Sequence, residues 1–497
     1  MDRCIDVYKI SVDLNLKLPV SDRGPADDAM LLASMALIRM YRLGHGDNTL
    51  LRSLVILEHL LAHSKHNYDA LLILVRLYAY LGAGSLAMEQ YSKLSVKNML
   101  HATTSSILCT RISTIHPWPV SVSPSANEHI TFDPLLKIEE ALEWHMDAKE
   151  LNNKALQKEW RYGHWDALLE IHSEERMLNE GIAKCVLVVE HKRLQRFRGA
   201  SQSVTGQREW VFPQVAMEKG DRGVFPDYEA SNQPLFEQIL PMAGQNGAYV
   251  NDPWLSEQLE IGKFWDCLHS KGQATIGKPR FGETQEATQS TPDTDPRTNV
   301  EKILSMFIGE LNELYNISSR NLAGNTSRNT AIKERLAKLE ATLAERSKWL
   351  HKLDLVQGHQ TLHICPGLKT PLWGFFHDLF MHVDLVLYTR RTLDCLAADK
   401  NKDEYVLTPW YKTSEKNIRH HLAVILHQVS SDAKMVREEI ERSTWSNTLR
   451  EEIIGDDELG QKIGSLTRDS NTVDSLIHKL KHSWNDALNG LNRTARV

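Results

Sequence analysis

The chain has 497 residues and a formal net charge of -6, and its 42% hydrophobic and 25% charged residues are the balance of an ordinary globular protein. The mild acidity argues against a dedicated nucleic-acid binder, and no DNA partner is expected. Six cysteines lie far apart with no CxxC pair, as free thiols in a reducing compartment do, and no apolar run is long enough to span a bilayer.

Met1 to Val20 mixes Asp, Arg and Lys with its apolar residues and has no secretory h-region, so a cytoplasmic chain without membrane attachment is expected. Ala26 to Leu43 carries Met30, Leu31, Ala33, Leu37, Ile38 and Tyr41 at helical spacing, and Gly44 and Gly46 stop it. Asp47 or Asn48 can cap the next helix, whose face is Leu51, Leu54, Val55, Leu57, Leu60 and Leu61. Leu71 to Leu81 is apolar except at Arg76. Gly82 then closes that helix, and Ser85 is placed to cap a second one. A connection this short makes the two helices antiparallel neighbours. A further helix is expected over Val96 to Ile115, ended by Pro117 and Pro119.

This repetition invites comparison with tetratricopeptide units, whose period is about 34 residues. Leu71-x2-Leu74-Val75-x2-Tyr78 followed by Ala87-x3-Tyr91 fits the spacing, and Tyr41 precedes Tyr78 by 37 positions. The Trp, the Gly and the closing Pro of the pattern are absent, so a generic helical hairpin is the competing reading. In a stack of hairpins the first helix of each pair is covered by its partner and its neighbours, so it can be apolar all round without meeting lipid.

After the Pro-rich link, Asp133-Pro134 is a cap with a first-turn proline, and helical spacing resumes. Helices are expected over Leu168 to Arg196, Val300 to Tyr315, Thr330 to Leu353, Trp373 to Ala397, Ile418 to Ile440 and Val473 to Leu491. The divisions expected are hairpins over 1–116, further helices over 117–198, an irregular and partly disordered region over 199–299, and C-terminal helices over 300–497. No run of alternating strands occurs, so the class is all-α, an α-α superhelix of degenerate tetratricopeptide-like hairpins.

Chemistry-bearing constellations are scarce. His359, His363, Cys365, His377 and His382 form a histidine-rich segment without an HExxH, and the last two lie five apart, off a common helix face. They read as structural, with a metal-dependent hydrolase as the rival. The glycine pairs follow helices and act as C-caps, not phosphate loops. GxSxG, Walker and kinase signatures are missing. Two basic tracts, His191 to Arg198 and Lys333 to Lys352, read as solvated faces in preference to an RNA-facing patch. No catalytic, cofactor or metal residue is assigned, and an enzyme is not expected.

One passage is more specific. Leu71 to Pro119, with its LLxxRLYxxLGAGSLAxEQYxxL hairpin, VKxxxHxT segment and TRxSTxHP end, resembles the auxiliary, non-catalytic subunit of the N-terminal acetyltransferase B complex (NatB). The resemblance implies a helical-repeat scaffold wrapped around a GNAT-fold catalytic subunit. That partner holds acetyl-CoA and acetylates nascent chains beginning Met-Asp, Met-Glu, Met-Asn or Met-Gln at the ribosome. An adaptor of another assembly, for chaperones or for a different N-terminal acetyltransferase, is the alternative. Within the passage, Tyr91, Lys97, His101, Arg111 and His116 are the candidate partner contacts, against a packing role for the same residues. Members of that family carry a long array of repeats ahead of the passage, which here starts about seventy residues after Met1. A shortened array is expected to expose an apolar face at its start and to be poorly soluble alone.

Overall fold

A computed structural model describes residues 2–15, 23–46, 48–97, 100–125, 128–180, 182–199, 240, 252–269, 297–319, 325–351, 373–398, 408–468 and 471–496. His359, His363, Cys365 and Lys352 lie outside the described residues, as does most of 199–299.

The first elements are antiparallel helices in sequence: α1 (Asp2–Asn15), α2 (Asp27–Arg42), α3 (Asn48–His63), α4 (Tyr68–Tyr80) and α5 (Gly84–Lys93). Gly44 at φ 89° and Gly82 at φ 69° turn the chain out of α2 and α4 in the left-handed conformation that a Cβ disfavours. Asn67 caps α4 by accepting from the Ala70 amide at 3.1 Å. Ser85 does not cap α5. Ala83 holds the cap position, and the Ser85 hydroxyl instead donates to Ser483 at 2.7 Å.

The apolar helix is covered as its composition requires. Every residue of α4 from Ala70 to Tyr80 is buried, against α3, α5 and α6 (Leu100–Cys109). Part of the enclosure around these hairpins comes from the far end of the chain. Three helices, α15 (Ser443–Ile454), α16 (Glu458–Thr467) and α17 (Thr472–Thr494), pack on α3, and α17 also packs on α5. Trp484 of α17 is fully buried and its indole donates to the Leu81 carbonyl at 2.8 Å. At the chain start, Ile5 and Tyr8 of α1 are buried between α2 and α16, while Val7 and Ile10 face outward.

The expected helix over Val96 to Ile115 is broken. It contains α6, a left-handed turn at Arg111 and a 3-10 turn at Ile112–Thr114. The link that follows holds a strand pair that the sequence did not suggest, β1 (Val120–Ser125) antiparallel to β2 (Glu128–Phe132) with Val120 opposite Phe132. Then come α7 (Pro134–Tyr162), α8 (Trp165–Glu180) and α9 (Ile182–Phe197), so the helix expected over Leu168 to Arg196 is two. Asp133 caps α7 through the Leu135 amide at 2.8 Å, with Pro134 in the first turn.

Residues 252–269 were read as irregular and instead form α10 (Asp252–His269), which buries Trp254, Leu255, Ile261 and Phe264. With α11 (Asn299–Ser319), α12 (Asn325–His351), α13 (Trp373–Ala398) and the first half of α14 (Pro409–Glu441) it encloses a second core around Phe307, Leu336 and Tyr388. Both α13 and α14 cross between cores. In α14, Ile418, Leu422 and Ile425 serve this second core, while Val429, Val436 and Ile440 serve the first. Its 33 residues span about 50 Å, enough to tie the two together. Among the described residues no helix is long and apolar enough to cross a membrane.

Candidate functional site

The distinctive passage ends in a buried polar junction, and Arg111 is its centre. Arg111 has φ 62°, a conformation that costs a non-glycine residue about 1 kcal/mol or more and is kept where surrounding contacts fix it. Those contacts are numerous. The fully buried guanidinium forms a two-pronged ion pair with Glu301 of α11, with Nη2 to Oε2 at 3.1 Å, and lies 3.1 Å from Nε2 of His377 on α13. Its plane sits 5.3 Å from the ring centres of both Trp254 and Trp373. The other nitrogen of His377 meets the Thr114 hydroxyl at 2.8 Å, so the 3-10 turn and α13 share the histidine.

The next residues of the motif continue outward. Both the amide and the hydroxyl of Ser113 donate to Glu190 of α9, at 2.9 and 2.6 Å. Glu190 also accepts from Arg193 at 3.0 Å, and Arg193 reaches Gln258 of α10 at 2.6 Å. His116 donates through Nδ1 to the Trp118 carbonyl at 3.0 Å. The Trp118 indole donates to Gly490 and Thr494 of α17. Arg198 closes the ring with bonds to the Pro117 carbonyl and Asp133.

Charge follows from this enclosure. Burial alone would raise the Glu301 carboxyl, but the Arg111 guanidinium takes it down to about 2. Burial, reinforced by the Arg111 charge, holds His377 neutral, well below the usual imidazole range. Burial likewise lowers His116 to about 4.

The five residues proposed as contacts therefore divide. Tyr91 is buried beside Phe132 of β2, its ring edge-on at 6.3 Å, and burial raises its hydroxyl. Arg111 and His116 are spent on the interior. Lys97 is exposed, and His101 is half-buried near Trp144. Three of the five are buried: Tyr91 against Phe132, and Arg111 and His116 where a ladder of arginines and carboxylates replaces water.

The first basic tract also needs correcting. His191 to Arg198 is no solvated face. Arg193 and Arg196 are buried, and Arg196 is paired with Asp384 of α13 at 3.0 and 2.9 Å and lies over the Tyr388 ring. Lys192 pairs with Asp266. In the second tract, Arg335 and Lys338 pair with Glu310, while Arg346 is buried against His382 at 2.8 Å. His377 and His382 point to different partners, as their five-residue separation requires. No cluster of three His, Cys, Asp or Glu side chains able to hold a metal occurs among the described residues. Glu190 and Glu301, which complete the junction with Trp254 and Trp373, carried no signal in the linear sequence.

Residues 1–222 match the family described as the N-acetyltransferase B complex (NatB) non-catalytic subunit. Over that stretch the chain is similar to the NatB auxiliary subunits. The human "N-alpha-acetyltransferase 25, NatB auxiliary subunit" is 27% identical over 157 residues, covering 32% of this chain and 15% of the human protein. The arm1 subunit of the N-terminal acetyltransferase B complex of Schizosaccharomyces pombe is 25% identical over 251 residues, 48% of this chain and 28% of that protein. The fold carries the likeness further. A chain of the NatB acetyltransferase complex bound to a bisubstrate inhibitor superposes with a TM-score of 0.54 at 13% identity, covering 96% of this chain and 55% of that one. The complex bound to CoA and MES gives 0.52 over 96% and 54%. The chain thus spans about half of the solved NatB chains it matches and a smaller share of the curated relatives. The NatB family matched over residues 1–222 is described as the non-catalytic one. Its helical-superhelix fold is that of the NatB structures.

Proposed function

We propose that this chain is the scaffold of a NatB-type N-terminal acetyltransferase. It binds and activates a GNAT-fold catalytic subunit, which holds acetyl-CoA and acetylates nascent Met-Asp, Met-Glu, Met-Asn and Met-Gln termini at the ribosome in the cytoplasm. The match of residues 1–222 to the non-catalytic subunits is the observation that carries this reading. The fold supports it: two cores tied by α13 and α14 make a helical body suited to presenting a surface to a partner. Lys97 and His101 keep surface beside the motif and are the proposed contacts. Tyr91, Arg111 and His116 act through the shape of the junction.

The test is co-expression with the NatB catalytic subunit, followed by pull-down and an acetyl-transfer assay on Met-Asp and Ser-type peptides. Stable co-elution with transfer to Met-Asp alone is the expected result. No co-elution, or co-elution with transfer to the Ser peptide, would refute the assignment in favour of another assembly.

A further inference from the structure

Three helices converge at the root of the α7–α8 hairpin, where α7 packs on α6 and α9. His145 is the last buried residue of α7 and is 2% exposed. Both its ring nitrogens lack a hydrogen-bond partner among the described residues. Lys149 and Asn152 follow it by four and seven positions, which keeps all three on one face of the helix. The Asn152 amide nitrogen is likewise enclosed without a partner among the described residues.

The groups gathered at this face carry positive charge or can acquire it. Burial, and then the charges of Lys184 on α9 and His101 on α6, lower the His145 imidazole to about 3. Burial, and then the Lys149 charge, lower the Lys184 ammonium below its ordinary range. His101 lies 6.2 Å from Trp144, ring to ring, and its Nδ1 is a further enclosed nitrogen without a partner among the described residues. Neither Lys149 nor Lys184 has an ion pair among the described residues. The acids of α7 and α8 nearby are engaged elsewhere. Glu140, which also faces His101, pairs with Lys137 at 2.6 Å, Glu139 with His191 at 3.0 Å, Glu150 with Lys154 at 2.7 Å and Glu175 with His172 at 4.0 Å.

Cations gathered without an acid repel one another, and donors enclosed without an acceptor cost stability. A bound anion relieves both. We propose that this junction binds a small tetrahedral oxyanion of the phosphate or sulfate class, held between Lys149 and Lys184, with His145, His101 and Asn152 as further donors. The donors come from three helices and from several directions, which four oxygens match better than the two of a carboxylate. An anion beside His145 favours the imidazolium, so the anion and a proton bind together. The bound anion bridges α6, α7 and α9 and fixes the root of the hairpin. The inference goes beyond the scaffold reading, because it needs no catalytic subunit.

The experiment is isothermal titration calorimetry of the full chain with sodium sulfate, at pH 8 and at pH 6, in chloride buffer of constant ionic strength. Sulfate keeps its charge over that range, so a pH dependence reports the protein. The expected result is one saturable site that binds about tenfold or more tighter at pH 6 than at pH 8. K149M/K184M is expected to weaken binding by about tenfold or more. His145→Leu is expected to lose most of the pH dependence while melting higher than the natural chain without sulfate. Circular dichroism melts confirm that each variant is folded. Absence of a saturable heat in the natural chain overturns the proposal. So does a K149M/K184M variant that binds as the natural chain does, which would mean an adventitious ion only. Unchanged pH dependence in His145→Leu overturns it as well.

Discussion

Arg52 on α3 and Asp457, the cap of α16, are 405 positions apart and meet in a two-bond ion pair, Nη1 to Oδ2 at 2.6 Å and Nη2 to Oδ1 at 2.8 Å. The same guanidinium donates through Nε to the Ile453 carbonyl at 2.9 Å, at the end of α15. Asp457 in turn accepts from the Gly460 amide at 2.7 Å. One carboxylate thus starts a helix and fastens the C-terminal helices to the N-terminal hairpins.

Removing that clasp should loosen the two ends from each other. Arg52→Ala is expected to destabilise by about 2 kcal/mol, a value kept low because Asp457 is 55% exposed. The hydrogen bond from Arg52 holds the Asp457 carboxyl below its usual range. A carboxyl depressed in the folded state adds stability above its unfolded value, near 4, and loses it as pH falls through the folded value. Asp457→Asn keeps the helix cap and should abolish that part of the acid dependence. Urea melts between pH 6 and pH 3 would show whether it does.

Arg111→Lys separates packing from partner contact. Lysine cannot make the two-pronged pair with Glu301 or set a planar guanidinium between Trp254 and Trp373, whose ring centres lie 5.3 Å from the Arg111 Cζ. A loss of about 3 kcal/mol is expected, because a buried carboxylate is left partly uncompensated. A melting temperature unchanged in the isolated chain, with partner binding reduced, would instead place Arg111 at an interface.

Burial, in each case the largest cause, holds several histidines neutral. It lowers His59 and His116 to about 4, His145 and His382 to about 3, and His377 well below the ordinary range. The unfolded chain takes up protons near pH 6.5 that the folded chain refuses, so stability falls as pH drops below that value. The slope is about 1.4 kcal/mol per pH unit for each histidine still neutral in the fold. Both ring nitrogens of His145 lack a hydrogen-bond partner among the described residues. His145→Leu is therefore expected to stabilise the protein and flatten the slope between pH 6.5 and pH 5 by about one proton.

Two glycines should respond oppositely to alanine. A Cβ on Gly84 would stand 2.6 Å from the His116 Cβ and 3.1 Å from a methyl of Ile115. Gly84→Ala should cost about 1–3 kcal/mol by overpacking the join between α5 and the motif. Gly374 lies in α13 with nothing within 4 Å of the same position among the described residues. Gly374→Ala should stabilise by about 0.5–1 kcal/mol through helix propensity. Thermal melts of the pair test both, and a neutral Gly84→Ala would mean that the junction is plastic.

The sequence by itself determined most of the helices, though not α1, α10, α15 or α16, many of their ends and the family likeness. Apolar spacing, glycines at Gly44 and Gly82, and the Asp133-Pro134 start are local signals, and local backbone physics reads them directly. It also determined that α4 must be covered on every side. Only the tertiary structure decided by what, since the covering includes α17 and Trp484, some 400 positions away. The junction was hidden for the same reason. Arg111, Glu301, His377 and Trp254 come from four separate segments, and a charge in a sequence does not state whether its partner is water or a carboxylate. His191 to Arg198 looked like a solvated basic face because its acids, Asp266 and Asp384, sit on other helices. The break at Arg111 was equally invisible. Its left-handed turn opposes the local preference of arginine and is held by contacts that exist only once the helices have packed.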